Sequence, residues 1–245
     1  WQGGRALSKE EDAWITSAPS ALPFTQGAPI PEALDADEMQ NIKQNFVNAA
    51  KRAVRLGFSA IELHGAHGYL IHEFISPISN QREDEFGGSL DNRLKFPLEI
   101  FDEVRKVVPS DIALGLRLTG TDWRDDGLSV EDAKNVAKSF EAHGADYLCI
   151  SSGGITTGLK IPVGPNYQVH LAKGIKDVVS IPVRAVGLIT TAEQANDIIL
   201  NGEADMVALA RAFLANPRWG WDASVALQQP IQVPPQYERA YKVPQ

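Results

Sequence analysis

Cysteine is almost absent: Cys149 is the only one in 245 residues. Neither a disulfide framework nor a four-cysteine metal or iron–sulfur site can be built from it. It lies inside the apolar run YLCIS and reads as a small buried core residue. With no disulfides to form, a reducing cytoplasm is the expected compartment. No uninterrupted apolar stretch of about 18 residues exists, which excludes an evident membrane-spanning helix. The start also lacks the charged-then-apolar form of a secretory signal. Basic runs are missing too, and the net charge of −8 argues against nucleic acid or an anionic membrane as a partner. There is no GxGxxG after an apolar run, which weakens a doubly wound nucleotide-binding fold. An initiator methionine is also missing. The chain opens WQGGRAL without a capping signal, as the interior of a longer polypeptide would.

The apolar share is 44%, ordinary for a soluble globular chain, and the length suits one large α/β domain. Strand-like runs are SAIELHG (59–65), IALGLRLT (112–119), YLCISSG (147–153), PVRAVGLI (182–189) and MVALAR (206–211). Their near-continuous apolar character predicts parallel strands buried on both faces. Helical patterns lie between them. Residues 37–56 repeat apolar side chains at helical spacing up to Gly57. Ser129 with Asp132, and Thr191 with Gln194, form capping boxes for helices ending at Gly144 and Gly202. GFSAIEL, GADYLCI and GEADMVAL each place a helix-ending glycine just before a strand. Repeated helix–glycine–strand units imply right-handed βαβ crossovers.

Polar and glycine residues gather after the C-terminal end of every strand, the face at which (β/α)8 barrels build their sites. The expected fold is therefore an α/β (β/α)8 TIM barrel, with strands four to eight in this chain. Residues 1–245 would form one partial barrel domain ending in a tail at 228–245. The three remaining strands would lie upstream of Trp1, in a segment of about 100 residues. The segment 75–93, containing SPISNQREDEFGGSLDNR, is too long for a simple turn. Ser89 can cap the helix after it. Arg82, Asp84 and Arg93 are expected to brace this segment, with substrate contact the other reading. Pro97 predicts a kink or a late helix start.

The chemistry concentrates in ELHGAHGYLIHEF, residues 62–74. His64 and His67 are compatible with three readings. As metal ligands they lack an obvious third partner, although Glu62 and Glu73 are near. They can also serve local backbone hydrogen bonds. The third reading pairs them as donors to one substrate oxygen, stabilising developing enolate charge as an oxyanion hole does. Tyr69 would then be a proton donor. Arg117, near the end of a buried strand, requires a salt bridge or an electron-rich cofactor. The final two strands end in AVGLI and ALAR, where glycine, a backbone N–H and Arg211 suit a phosphate. A Schiff-base aldolase would need a lysine at a strand end, and Lys160 and Lys173 are not so placed.

HGAHGYLIHEFISPISNQREDEFGGSLDNR resembles the signature of the Old Yellow Enzyme family of FMN-dependent ene-reductases, in its thermophilic-like branch. The similarity continues through GLRLTGTDW, YLCISSGG, PVRAVGLIT, DMVALARAFLANPRW and PPQYERAY. WQGGRA resembles the HAGRKA segment after the family's third barrel strand, with Gln2 where histidine is common. The resemblance implies FMN as cofactor, NADPH or NADH as reductant, and an activated alkene of the α,β-unsaturated carbonyl type as substrate. His64 and His67 would hold the carbonyl oxygen and Tyr69 would protonate the α-carbon, while Gly65 and Ala66 adjoin the substrate. Arg117 would sit beside the flavin pyrimidine. Ser152, Gly153, Gly187, Ala210 and Arg211 would receive the ribityl phosphate, with Ala210 in place of the usual glycine. Arg239 matches an arginine that reaches a neighbouring subunit's site, so a homodimer or higher homo-oligomer is expected. No metal is implied, and a lone cysteine argues against the family's iron–sulfur relatives. The competing expectation is a noncatalytic fragment that needs a missing N-terminal segment to bind FMN.

Overall fold

The computed structural model describes residues 6–241; Trp1 and Gln2, which carry the similarity of WQGGRA, lie outside the described residues. Two short parallel strands, β1 (Ser17–Ala18) and β2 (Glu32–Ala33), bracket a strap containing Pro19, Pro23, Pro29 and Pro31. There follow α1 (Ala36–Arg55), β3 (Ala60–Gly65), α2 (Leu70–Ile75) and α3 (Leu90–Val107). Next come β4 (Ala113–Thr119), α4 (Val130–Ala142), β5 (Tyr147–Ser151) and α5 (Val169–Lys176). The chain continues through β6 (Val183–Val186), α6 (Ala192–Leu200) and β7 (Met206–Ala208), then α7 (Arg211–Ala215), α8 (Trp219–Ala226) and α9 (Glu238–Tyr241).

The architecture is α/β with a five-stranded parallel sheet, ordered β3-β4-β5-β6-β7. Each strand pairs with the next in sequence, so every connection is a crossover through helix. Local signals set the helices. Asp35 caps α1 with Glu38, Ser129 caps α4 with Asp132, and Thr191 caps α6 with Gln194, all as reciprocal boxes. Gly57, Gly144 and Gly202 follow the ends of α1, α4 and α6 at positive φ, a conformation that glycine adopts without steric cost.

One sheet face packs on helices. Leu63, Leu116, Leu148 and Val183 lie in one register row, and all are buried. Phe101 of α3 and Phe140 of α4 meet edge-on over the sheet, with centroids 5.3 Å apart. Truncating one such aromatic to alanine costs about 3–5 kcal/mol. The other face corrects the expectation of strands buried and apolar on both sides. It carries Glu62, His64, Arg117, Tyr147, Cys149 and Arg184. Here the Glu62 carboxylate pairs with Arg184, whose guanidinium also stacks 5.3 Å over Tyr147. Cys149 is buried beside them, and burial holds its thiol above the usual range.

Three strands end earlier than their apolar runs. β5 stops at Ser151, β6 at Val186 and β7 at Ala208. After β5 and β6, Gly153, Gly187 and Leu188 have positive φ, which breaks the extended path and turns the chain out of the sheet, while β7 gives way to α7 at Arg211. Pro97 does not delay α3, which begins at Leu90 under the Ser89 cap and runs through the proline to Val107. The turn around Pro97 is buried, with Leu94, Phe96, Ile100 and Phe101, and that packing offsets the roughly 3 kcal/mol of an interior proline. The braces behave as expected. Arg82 donates to the carbonyls of Pro19 and Leu34 at 2.9 and 2.7 Å, and Arg93 donates to Ile75 O at 2.7 Å. No helix among the described residues is long and apolar enough to cross a membrane.

Candidate active site

Strand β3 alternates, so Ile61 and Leu63 point one way and Glu62 and His64 the other. His64 thus reaches the polar face at the strand's C-terminal end, in register with Arg117 of β4. The chain then turns sharply. His67 and Gly68 both adopt left-handed φ, 61° and 73°. Histidine is among the few side chains that tolerate this region. A methyl on Gly68 would overlap the carbonyl of Gly154, so only glycine fits there. The turn folds His67 back beside His64, with ring centroids 5.2 Å apart and near-perpendicular planes. Tyr69, mostly exposed, lies with its ring 5.1 Å from His64. The three predicted catalytic residues are therefore neighbours.

Both histidines are neutral at pH 7. Burial, reinforced by the Arg117 guanidinium, lowers His64 and pushes His67 down to about 4. Their remaining hydrogen bonds decide which nitrogen is protonated. His64 Nδ1 accepts from Ala66 N–H at 3.3 Å, which leaves the proton on Nε2. His67 Nε2 lies 2.7 Å from the buried Ser151 hydroxyl. Gln168 Oε1, 3.3 Å from Ser151 Oγ, already receives the Ser152 hydroxyl at 2.5 Å, so the single Ser151 proton goes to the shorter contact with His67, which then carries its own proton on Nδ1. Each ring then retains one N–H to offer outward. Gly65 and Ala66 are buried between the two histidines and line neither of the cavities described below.

Two cavities adjoin this corner. One of about 620 Å³ is bounded by His67, Tyr69 and Glu73 on one side and by Leu22, Phe24 and Pro29 of the strap on the other. Burial raises the Glu73 carboxyl there to about 7. The second cavity, about 200 Å³, brings together Arg117, Gly187, Ala210 and Arg211. Arg117 Nε is buried without a hydrogen-bond partner and Arg117 forms no ion pair among the described residues, while Glu62 on the same sheet face pairs with Arg184. The salt-bridge reading of Arg117 is thereby set aside. Ser152 does not line this cleft, but it donates at 2.5 Å to Gln168, whose side chain does. Gly153 instead faces Ile161 and Trp123. Arg239 is exposed on α9, whose chain is docked by Tyr237 and Tyr241 stacking on Trp221 at 5.1 and 5.4 Å.

Several participants were not anticipated. Thr119 accepts the His67 N–H at 3.1 Å, and Gln168 joins Ser151 and Ser152. Fully buried His72 and Asp122 lie beneath the turn. Ser151 stands where β5 leaves the sheet, the one positional signal available for it. Among the described residues no group of three or more His, Cys, Asp or Glu is placed to hold a metal ion.

Residues 1–229 match the NADH:flavin oxidoreductase / NADH oxidase family. The chain belongs to that family. It is 43% identical over 225 residues to an NADPH dehydrogenase of Geobacillus thermodenitrificans strain NG80-2, covering 92% of this chain and 65% of that protein. An NADPH dehydrogenase of Bacillus licheniformis is 41% identical over 98% of this chain and 70% of its own length. The chain thus spans about two thirds of the curated relatives it matches. A solved structure of morphinone reductase in complex with tetrahydroNAD superposes with a TM-score of 0.70 at 26% identity, covering 94% of this chain and 66% of that one. The resemblance to Old Yellow Enzymes is borne out by these family members.

Proposed function

We propose that this chain is the catalytic part of an FMN-dependent, NAD(P)H-linked reductase of activated C=C bonds. One observation carries the reading. Two neutral histidines converge 5.2 Å apart at the end of β3, beside Tyr69 and next to a buried arginine nitrogen that lacks a partner. Family membership supports flavin and nicotinamide. The convergent donors point to a carbonyl-type substrate.

The residues present fit FMN. Arg117 offers an unsatisfied buried donor, and an unpaired buried polar group of this kind costs about 1–3 kcal/mol unless a ligand satisfies it. At the far end of the same cleft Gly187 leaves room for backbone to approach, and Arg211 supplies positive charge. Arg117 would hold the electron-rich edge of the ring. Gly187, Ala210 and Arg211 would receive the phosphate, with Ser152 acting through Gln168. When bound, FMN supplies hydride transfer between nicotinamide and substrate. The chain's own residues do the rest. His64 Nε2–H and His67 Nδ1–H would donate to the carbonyl oxygen and stabilise the charge that develops on it. Removing one such donor costs about 10²–10³ in kcat in comparable sites. Tyr69 would deliver the proton to the α-carbon from its hydroxyl. The strap, with Leu22 and Phe24, would wall the cavity against water.

The sheet supports a (β/α)8 barrel as the parent fold. Flat spacing of about 4.8 Å per strand would put β3 and β6 roughly 14 Å apart, yet Glu62 and Arg184 on those strands meet. A sheet curling toward closure brings them together, and an order without reversal is what a barrel arc requires. We also assign Arg239 to a neighbouring copy's site, because its exposed helix gives it no contact with its own histidines.

Anaerobic titration tests the assignment. The purified protein should be yellow, bleach with NADPH and recover its colour on adding cyclohex-2-enone. A colourless protein that cannot be loaded with FMN overturns the flavin assignment. Bleaching without recovery by any enone, maleimide or nitroalkene overturns the substrate class.

A further inference from the structure

Beneath the catalytic turn lies a third imidazole, one that the proposed chemistry does not use. His72 of α2 and Asp122 of the β4–α4 loop are both fully buried, with His72 Nε2 3.0 Å from Asp122 Oδ1. The other ring nitrogen, His72 Nδ1, accepts the Gly68 N–H at 2.9 Å. The opposite carboxylate oxygen, Asp122 Oδ2, receives Ser76 Oγ–H at 2.7 Å and Leu128 N–H at 2.7 Å. Burial alone would raise the Asp122 carboxyl, but His72, Leu128 N–H and Ser76 outweigh it and hold it below the usual range.

We propose that His72 and Asp122 are positioning residues. Together they fix the left-handed His67–Gly68 turn, and through it the geometry of the substrate-oxygen donors. The reasoning is tautomeric. A nitrogen that accepts an amide hydrogen carries none, so His72 must place its proton on Nε2, facing the carboxylate. Asp122 Oδ1 lies 3.0 Å from Nε2 but out of line with its N–H, so the carboxylate favours that form by its charge rather than by a formed hydrogen bond. Gly68 N–H is consequently satisfied by a partly buried hydrogen bond, and leaving a buried amide unpaired costs about 1–3 kcal/mol. The three successive amides of the turn are then each captured: His67 by Thr119, Gly68 by His72 and Tyr69 by Ala66 O. Two consecutive residues at positive φ persist only when the surroundings over-determine them. The inference concerns the site of the proposed reductase and rests on that reading for its catalytic consequence alone.

Asp122→Asn is the informative substitution. Ser76 and Leu128 both donate to one oxygen, so the amide oxygen must take that place and the NH2 must face His72. His72 is then driven to protonate Nδ1, which opposes the Gly68 N–H donor to donor. In the FMN-loaded protein, hydrogen exchange in peptides spanning 65–70 should quicken at least tenfold, while peptides from α4 stay unchanged. With cyclohex-2-enone, kcat should fall about 10- to 100-fold. Unchanged exchange at 65–70 overturns the proposal, and faster exchange with unaltered kcat overturns its link to catalysis. If Asp122→Asn does not fold, the imidazole 15N shifts of the unaltered protein decide. His72 protonated on Nε2 at pH 7 supports the proposal; protonation on Nδ1, or on both nitrogens, overturns it. Failure of the unaltered protein to reduce any enone would refute the reductase reading while leaving the exchange and 15N results to judge the pair.

Discussion

His67 Nε2 and Ser151 Oγ lie 2.7 Å apart, joining the corner after β3 to the last residue of β5 across 84 positions of sequence. The ring is neutral, since burial and Arg117 hold it near 4. Which of its nitrogens carries the proton is therefore set by this one bond. Ser151→Ala should remove that selection, so that His67 presents a donor only part of the time. A single hydrogen bond is worth about 1–1.5 kcal/mol, so kcat for an enone should fall about tenfold with little change in Tm. Unaltered steady-state kinetics in a well-folded variant would show that the serine has no such role.

Stability should depend on pH through two groups acting in opposite directions. His67 has its ordinary value of 6.5 lowered to about 4. Between those values the unfolded chain binds the proton and the folded one does not. The stability contributed by the neutral ring is thus full above 6.5 and lost as pH falls toward 4. Glu73 is raised from 4.5 to about 7, so the folded chain keeps a proton that the unfolded chain has released. Its contribution is present below 4.5 and lost as pH rises through 7. Glu73→Gln should accordingly raise Tm relative to the parent at pH 8 and leave it nearly unchanged at pH 4.5. His67→Asn should flatten the acid limb alone. Equal Tm offsets at both pH values would refute the assignment of these shifts.

How much of this was readable beforehand depends on how far apart the interacting residues are. Capping boxes at Ser129 and Thr191 and the glycines after them span only a few residues, so those helices were legible. The five strands of the main sheet were legible too, but the two-residue β1 and β2 were too short to show a pattern, and strand ends were hidden because positive φ at Leu188 has no sequence mark. The six-residue α2 is too short for any periodicity to declare it. The His64–His67–Tyr69 group came from resemblance as well as composition, and its neighbours could not come from either. Ser151 meets His67, Asp122 meets His72 and Arg184 meets Glu62 only because parallel strands lay distant segments side by side. The sign of Arg117's environment was likewise invisible until Arg184 was seen to take the carboxylate.

The cleft between Arg117 and Arg211 makes a prediction about cofactor affinity. Arg211 is exposed at the start of α7 and forms no ion pair among the described residues. Its replacement should not disturb the fold. Charge-assisted hydrogen bonds contribute about 1.5–3 kcal/mol, so Arg211→Ala should weaken FMN binding about 10- to 100-fold, read by quenching of flavin fluorescence on titration. Riboflavin, which lacks the phosphate, should bind parent and variant alike. An equal loss for both ligands would place Arg211 elsewhere than at the phosphate.

Arg239 is the residue whose role depends on a second copy of the chain. It extends from α9, and α9 is anchored by side chains other than its own. Tyr237 accepts from Arg218 at 3.0 Å, and Tyr241 donates to Asp222 at 3.0 Å, while both rings pack on Trp221. Arg239→Ala should therefore leave Tm and FMN content unchanged, since its side chain forms no hydrogen bond or ion pair among the described residues. If it enters a neighbouring site, KM for enones should rise several-fold with kcat nearly constant, the pattern of a lost binding contact that does not change between ground and transition states. Tyr237→Ala should reproduce that KM change by releasing the segment, and it should also lower Tm by loosening the ring cluster on α8. Steady-state kinetics across several enones, alongside sedimentation to establish the assembly, checks both. An unchanged KM for Arg239→Ala in an associated protein would remove the arginine from the site.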